Sequence, residues 1–338
     1  MIQDLAFSAD ADHASQDVDH RTVILMATYN GAAHLGEQLR SLREQTDTNW
    51  ILVTRDDHST DGTADILARF ASACEPGKVV IIPSGPERLG FVANFMTLLA
   101  HAPIGARYAF CDQDDVWLPN KLMRAVKAFR GYPNHVPVLY CSRQVIVDET
   151  LARLDLSPDV PRPPSLSNAL VQNIATGNTI LINEAARRDI LATPAPANSF
   201  HDWWCYLVVT AVGGAVIFDR RPSILYRQHG LNAVGTRFGF WKRFAAFKRR
   251  GYAPFMRIFF AHSRALLEYP RLTMEAETLL RSMASLPKGS ALRKIRLLIA
   301  LNFYRQGHLE NVALKLSLLL WCLDKDRNRA AIQEGLST

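Results

Sequence analysis

The sequence predicts an α/β fold: a mostly parallel central sheet flanked by helices, with a helical C-terminal extension. Three observations carry this. Apolar strand-like runs alternate with helical patterns four times between Thr22 and Cys111, and helical connections imply parallel pairing with right-handed crossovers. Carboxylates collect directly after the second and fourth runs, where open α/β sheets bind ligands. From about Thr236 onward the pattern turns wholly helical.

The first run, Thr22–Ala27, is continuously apolar and β-rich, as a strand buried on both faces requires. Thr28-Tyr29-Asn30-Gly31 breaks it, and Leu35, Leu39 and Leu42 follow at helical spacing. Trp50–Thr54 is the second strand. It empties into Arg55-Asp56-Asp57-His58-Ser59-Thr60-Asp61-Gly62-Thr63, and Ile66, Leu67 and Phe70 mark the next helix. Val79–Ile82 is the third strand, closed by Pro83-Ser84-Gly85-Pro86, and Gly90–Leu99 is a helix. Tyr108–Cys111 is the fourth. Val138–Tyr140 and Gln144–Val147 read as a hairpin, Leu156–Pro164 as a loop, and Gly213–Phe218 and Ser223–Tyr226 as two further strands. Helical periodicity returns around Ala265–Glu268, Glu275–Met283, Leu292–Phe303 and Leu309–Leu323.

Composition narrows the class. The chain has 338 residues, of which 48% are hydrophobic, so it can bury a large core. The domain reading is an N-terminal arm over 1–20, an α/β domain over 21–235 and a helical region over 236–338. Residues 1–20 are Ala-, Asp- and Ser-rich and lack the basic and apolar regions of a secretory signal. Five cysteines without CxxC spacing argue against zinc or a disulfide framework and suit a reducing compartment. The longest apolar runs fall short of the roughly 20 residues of a spanning helix, so the expected place is the cytoplasm. The formal charge of +7 calls for an acidic partner. Between Arg237 and Arg257 lie seven Lys or Arg and no acid, interleaved with aromatics. That stretch has two readings: a surface on the anionic inner face of the cytoplasmic membrane, or a helix packed on the α/β domain. No nucleic-acid-binding motif accompanies the charge.

The chemistry centres on Tyr108-Ala109-Phe110-Cys111-Asp112-Gln113-Asp114-Asp115-Val116-Trp117. Three carboxylates within four residues repel one another by about 1 kcal/mol per pair at about 4 Å even in water. A hard divalent cation, Mg2+ or Mn2+, relieves that repulsion; so does solvent around a helix-capping turn.

In order, Met26-Ala27-Thr28-Tyr29-Asn30, Asp56-Asp57-x-Ser59-x-Asp61-Gly62-Thr63, Asp112-Gln113-Asp114-Asp115-x-Trp117-x-Pro119-x-Lys121 and His201-Asp202-Trp203 resemble an inverting family-2 glycosyltransferase of the GT-A fold. The resemblance covers roughly residues 21–235. With Tyr226-Arg227-Gln228-His229-Gly230-x-Asn232-x-x-Gly235, it points toward bacterial rhamnosyltransferases, which use dTDP-L-rhamnose for O-antigens and related polysaccharides.

The resemblance implies a role for each site residue. Ala27, Thr28, Tyr29 and Asp57 would line the nucleobase pocket, with Asp112 and Gln113 near the ribose or sugar. Asp114 would be the principal metal ligand, and His229 either completes that shell or is structural. Arg88 and Arg227 are read as diphosphate partners or as ordinary arginines. Asn94 fits the family's helix pattern as a packing residue. Asp202 is the candidate general base, its pKa raised by apolar neighbours. Trp117, Trp203 and Trp204 are candidate platforms for the acceptor, a glycan or lipid-linked saccharide. The donor alternatives are dTDP-rhamnose and a UDP-sugar. A non-catalytic nucleotide- or glycan-binding relative is the rival class, disfavoured because every carboxylate the reaction needs is present.

Overall fold

The computed structural model describes residues 21–197, 199–228, 253–286 and 290–323. Its centre is a seven-stranded sheet. In chain order it takes β1 (Thr22–Thr28), β2 (Trp50–Asp56), β3 (Val79–Ile81), β4 (Arg107–Cys111), β6 (Val138–Ser142), β9 (Leu181–Asn183) and β10 (Ala215–Asp219). Across the sheet the order is β10-β6-β9-β4-β1-β2-β3. Every neighbouring pair is parallel except β9 against β4 and β6. The expected mostly parallel sheet is therefore present, with one reversed strand at its middle.

Alternation along β1 explains why its apolar run is continuous. Val23 and Leu25 enter one core with α3 (Phe91–His101), α6 (Glu184–Leu191) and α7 (His201–Ala211). Ile24 and Met26 enter the other, with α1 (Ala32–Arg43), α2 (Thr63–Ser72) and α4 (Lys121–Phe129). The first core also takes Met256 and Phe259 of α8 (Ala253–Leu267), Leu280 of α9 (Met274–Ser285) and Trp321 of α11 (His308–Leu323). With α10 (Ala291–Ala300), these helices form the C-terminal extension, packed on the face of the sheet that carries α7. Each fully buried Leu, Phe or Met contributes roughly 1.5–3 kcal/mol, so this extension is joined to the α/β layer by real core.

The expected hairpin at residues 138–147 is not formed. β6 ends in the large sheet, and β7 (Val145–Val147) belongs to a second sheet with β5 (Val116–Trp117), β8 (Arg153–Leu156) and β11 (Ile224–Arg227), ordered β5-β11-β7-β8. Backbone bonds from Arg143 N to Asp219 O and from Ser223 N to Arg143 O carry the chain between the sheets. A buried Ser142 Oγ to Ser223 Oγ contact of 2.6 Å fixes the crossing. The strand β8 was not anticipated; its Arg-Leu-Asp-Leu alternation gives an exposed edge.

Among the described residues no helix is long and apolar enough to cross a membrane. On α11, Leu309, Val312, Leu316, Leu320 and Leu323 nonetheless form an exposed row. All five cysteines are unpaired. The arm at 1–20 and most of the basic stretch from Arg237 lie outside the described residues.

Candidate active site

Register brings the ends of three strands together. Thr28 pairs with Asp56, and Met26 with Cys111, so the loops after β1, β2 and β4 leave the sheet side by side. The acids after β2 divide their work. Asp56 accepts Thr28 Oγ1 at 2.8 Å and Ser59 Oγ at 2.5 Å. Asp61 accepts Ala32 N at 3.0 Å and Thr63 Oγ1 at 2.5 Å. Asn30, in the left-handed region at φ 45, receives a bond from Thr60 N at 2.8 Å. The Asp56…Thr63 motif thus staples the two loops to each other, and only Asp57 of its acids faces the cavity.

Asp57 is buried and accepts Arg55 Nη1 at 3.0 Å, Leu89 N at 2.9 Å and Gly90 N at 2.8 Å. Burial pushes its pKa up, but the bonds from Leu89 N, Arg55 and Gly90 N outweigh it and hold the carboxylate below its ordinary range. Asn94 in turn accepts Arg55 Nη1 at 3.0 Å, the packing role expected of it. Three donors leave one of the roughly four acceptor positions of a carboxylate for a ligand. Arg88 lies over the Tyr29 ring at 3.4 Å and 3.7 Å from Asp57. Gln113 clamps the Tyr29 backbone with both amide atoms: Tyr29 N donates to Oε1 at 2.8 Å, and Nε2 donates to Tyr29 O at 2.9 Å.

The clamp needs a glycine beside it. A Cβ on Gly31 would stand 2.2 Å from Gln113 Oε1. Gly31→Ala should therefore expel the amide and free Tyr29. By the nucleobase role that the resemblance implies for Tyr29, two neutral hydrogen bonds are at stake and nucleotide affinity should fall about tenfold. Calorimetric titration of Gly31→Ala, Gln113→Ala and the double variant checks this. The two effects should not add, because both remove the same clamp; additive losses would mean Gly31 acts elsewhere.

The cavity holding these groups measures about 1210 Å³. Asp112, Asp114 and Asp202, the second residue of α7, all line it. Burial first, then the charges of Asp114 and Asp202, push Asp112 up to about 7. Burial pushes Asp202 up to about 6, against bonds from Trp203 N at 2.6 Å and Gly177 N at 3.1 Å. Asp115 turns the other way. It is fully buried, accepting Asn178 Nδ2 at 2.5 Å and Arg227 N at 3.2 Å. Lys121 Nζ, also buried, donates to Asn178 O at 2.8 Å beneath the acids.

The family pattern described as "Glycosyl transferase family 2" matches residues 23–192. The chain belongs to glycosyl transferase family 2. It is 30% identical over 237 residues to the dTDP-rhamnosyl transferase RfbG of Shigella flexneri, covering 67% of this chain and 78% of that one. It is 25% identical over 140 residues to the UDP-Glc:alpha-D-GlcNAc-diphosphoundecaprenol beta-1,3-glucosyltransferase WfgD of Escherichia coli, covering 41% of this chain and 52% of that one. The structure of S. aureus TarS 1-349 in complex with UDP-GlcNAc shares the fold, with TM-score 0.55 and 15% identity over 83% of this chain and 80% of that one. The GT-A fold of the family is thus the fold of this protein.

Within that family-2 frame, the structure gathers most but not all of the expected residues. Ala27, Thr28, Tyr29, Asp57, Arg88, Asp112, Gln113, Asp114, Asp202 and Trp203 line one cavity. Three others do not. Trp117 is 1% exposed and Trp204 0%, both in the hydrophobic cores, so neither indole offers a face to an acceptor. Arg227 is 2% exposed. Its Nε donates to Asp114 O at 3.0 Å, and its other nitrogens reach Glu149 O and the Glu37 carboxylate. Arg227 thus positions the Asp114 backbone. His229 lies outside the described residues.

Several cavity residues carried no sequence signal: Gln172, Asn173 and Gly177 on the α/β side, and Arg305, Gln306 and Glu310 on the extension. His201 is buried against Phe95 at 4.4 Å and Phe110 at 5.1 Å. Burial pushes its pKa down to about 3, so it is neutral.

Among the described residues, no three His, Cys, Asp or Glu form a ready metal cage. Mg2+ at a diphosphate needs less, typically one or two carboxylates completed by phosphates and water. Asp112, raised first by burial and then by the charge of Asp114, and Asp114 itself supply the two carboxylates that fit that demand.

Proposed function

We propose that this protein is a metal-dependent inverting glycosyltransferase that moves L-rhamnose from dTDP-L-rhamnose to a hydroxyl of a glycan or lipid-linked saccharide in surface polysaccharide synthesis. The observation that carries the reading is that Asp202, its carboxyl pushed up to about 6 by burial, lines one cavity together with Asp112 and Asp114. The name of the Shigella flexneri relative supports the donor. The Escherichia coli relative, named for UDP-Glc, favours a UDP-sugar as the second reading.

In this reading the loop after β1, Tyr29 with Arg88 above it, and Asp57 hold the base. The free acceptor position on Asp57 takes the N3–H common to thymine and uracil. Asp112 sits at the ribose or sugar. Asp114 would hold Mg2+ or Mn2+, which supplies a Lewis acid for the charge on the departing nucleoside diphosphate. Asp202 takes the proton of the acceptor hydroxyl as that oxygen attacks the anomeric carbon from the face opposite the leaving group, inverting it. The extension is read as lying at an anionic membrane surface in the cytoplasm.

A thermal-shift panel of dTDP-rhamnose, UDP-glucose, UDP-N-acetylglucosamine and GDP-mannose, with and without Mn2+, tests the donor. A ligand at about 100 times its Kd stabilises by about 2.7 kcal/mol. The largest shift should come from dTDP-rhamnose with metal. Binding without nucleotide release would instead mark a non-catalytic relative.

A further inference from the structure

The family pattern ends at residue 192, yet the cavity does not. Phe255 of α8 and Glu310, Ala313, Leu314 and Ser317 of α11 form its far wall. A chain of polar contacts leads there from the candidate base. Asn173 hydrogen-bonds Asp202. Its neighbour Gln172 accepts Gln306 N at 2.7 Å and donates to Glu310 Oε2 at 3.2 Å. Arg305 lies 3.8 Å from Glu310.

We propose that this wall is the binding subsite for a neutral saccharide ring of the acceptor; the inference rests on the glycosyltransferase reading above. Three features select that ligand. Gln172, Asn173 and Glu310 are planar polar groups, rich in acceptors and amide donors suited to vicinal hydroxyls. Trp203 and Phe255 border them with aromatic surface for the apolar face of a ring. Trp203 is fixed by its Nε1 bond to Ala169 O at 2.6 Å, so that platform is preorganised. Among the described residues the charges disfavour an anion: Arg305 pairs with Glu310 and Asp159 with Arg220 at 3.4 Å, while Asp202 adds negative charge. On that balance an uncharged ring gains more there than a phosphate does.

The test uses the full chain saturated with dTDP or UDP and Mg2+, with methyl glycosides of glucose, galactose, rhamnose and N-acetylglucosamine as probes. Saturation-transfer NMR reads their binding. Glu310→Ala removes a polar partner, and Ala313→Trp plugs the wall from a half-exposed position. In both variants the affinity of the best glycoside should fall about tenfold. Nucleotide affinity and metal-dependent donor hydrolysis should stay unchanged, a result that general loss of structure would not give. Unchanged glycoside affinity in both variants, a parallel loss of nucleotide affinity, or no glycoside bound by the wild type overturns the subsite. A wild type that releases nucleotide from no donor at all would defeat the glycosyltransferase reading itself.

Discussion

Asp202→Asn should lower kcat by about three orders of magnitude while nucleotide affinity stays within about twofold, the size expected when a positioned general base is removed. The side chain is nearly isosteric, but an amide cannot take the proton of an attacking hydroxyl. It also keeps one acceptor oxygen for Trp203 N or Gly177 N, not both. Losing one of those bonds should cost about 1 kcal/mol of stability beside the kinetic loss; thermal unfolding separates the two. Acidity gives a second readout. A base works in its ionised form, and burial sets Asp202 at about 6. Transfer should therefore be full above pH 7 and fall as pH drops through about 6; the variant should lose that limb. Lost donor binding with an unchanged chemical rate would put Asp202 on the wrong side of the cavity.

Asp114→Asn should abolish metal-dependent turnover and leave the fold intact. Asp114 lines the cavity, and its backbone is held by Arg227 from below, so the substitution changes charge without releasing the loop. A single carboxylate-to-amide change at a Mg2+ site removes the charge that competes with water for a reluctantly dehydrated ion. Nucleoside diphosphate should then bind equally with and without Mn2+, and manganese titration should show no saturable site. Near-normal activity would remove Asp114 from its assigned role. Asp115→Asn next door makes the control. That carboxyl is buried under Asn178 and the Arg227 backbone, outside the cavity lining, so its replacement should act on stability first.

That pair shows what the sequence could and could not reveal. Three close acids after an apolar run announce a site, but nothing local says which of them turns inward. The answer lies in Asn178 and Arg227, which meet Asp115 only after folding. Tryptophans deceive in the same way. Trp117, Trp203 and Trp204 have one composition and three surroundings, and only Trp203 borders the cavity. The strand–helix order through β4 was legible because burial on both faces forces continuous apolar runs. The sheet exchange after Ser142 was not, since it depends on partners near Asp219 and Ser223, remote in sequence. Gln172 and Glu310 meet across 138 positions, a separation no motif spans.

The leucine row on the outer side of α11 has a practical side. Leu309, Val312, Leu316, Leu320 and Leu323 stand together in water, with Ile299 of neighbouring α10 also exposed. Solvent-facing apolar ribbons of this kind make a protein sticky. Purified at high concentration without detergent, the chain should scatter light and elute early on gel filtration, and a mild micelle-forming additive should restore a sharp, later peak.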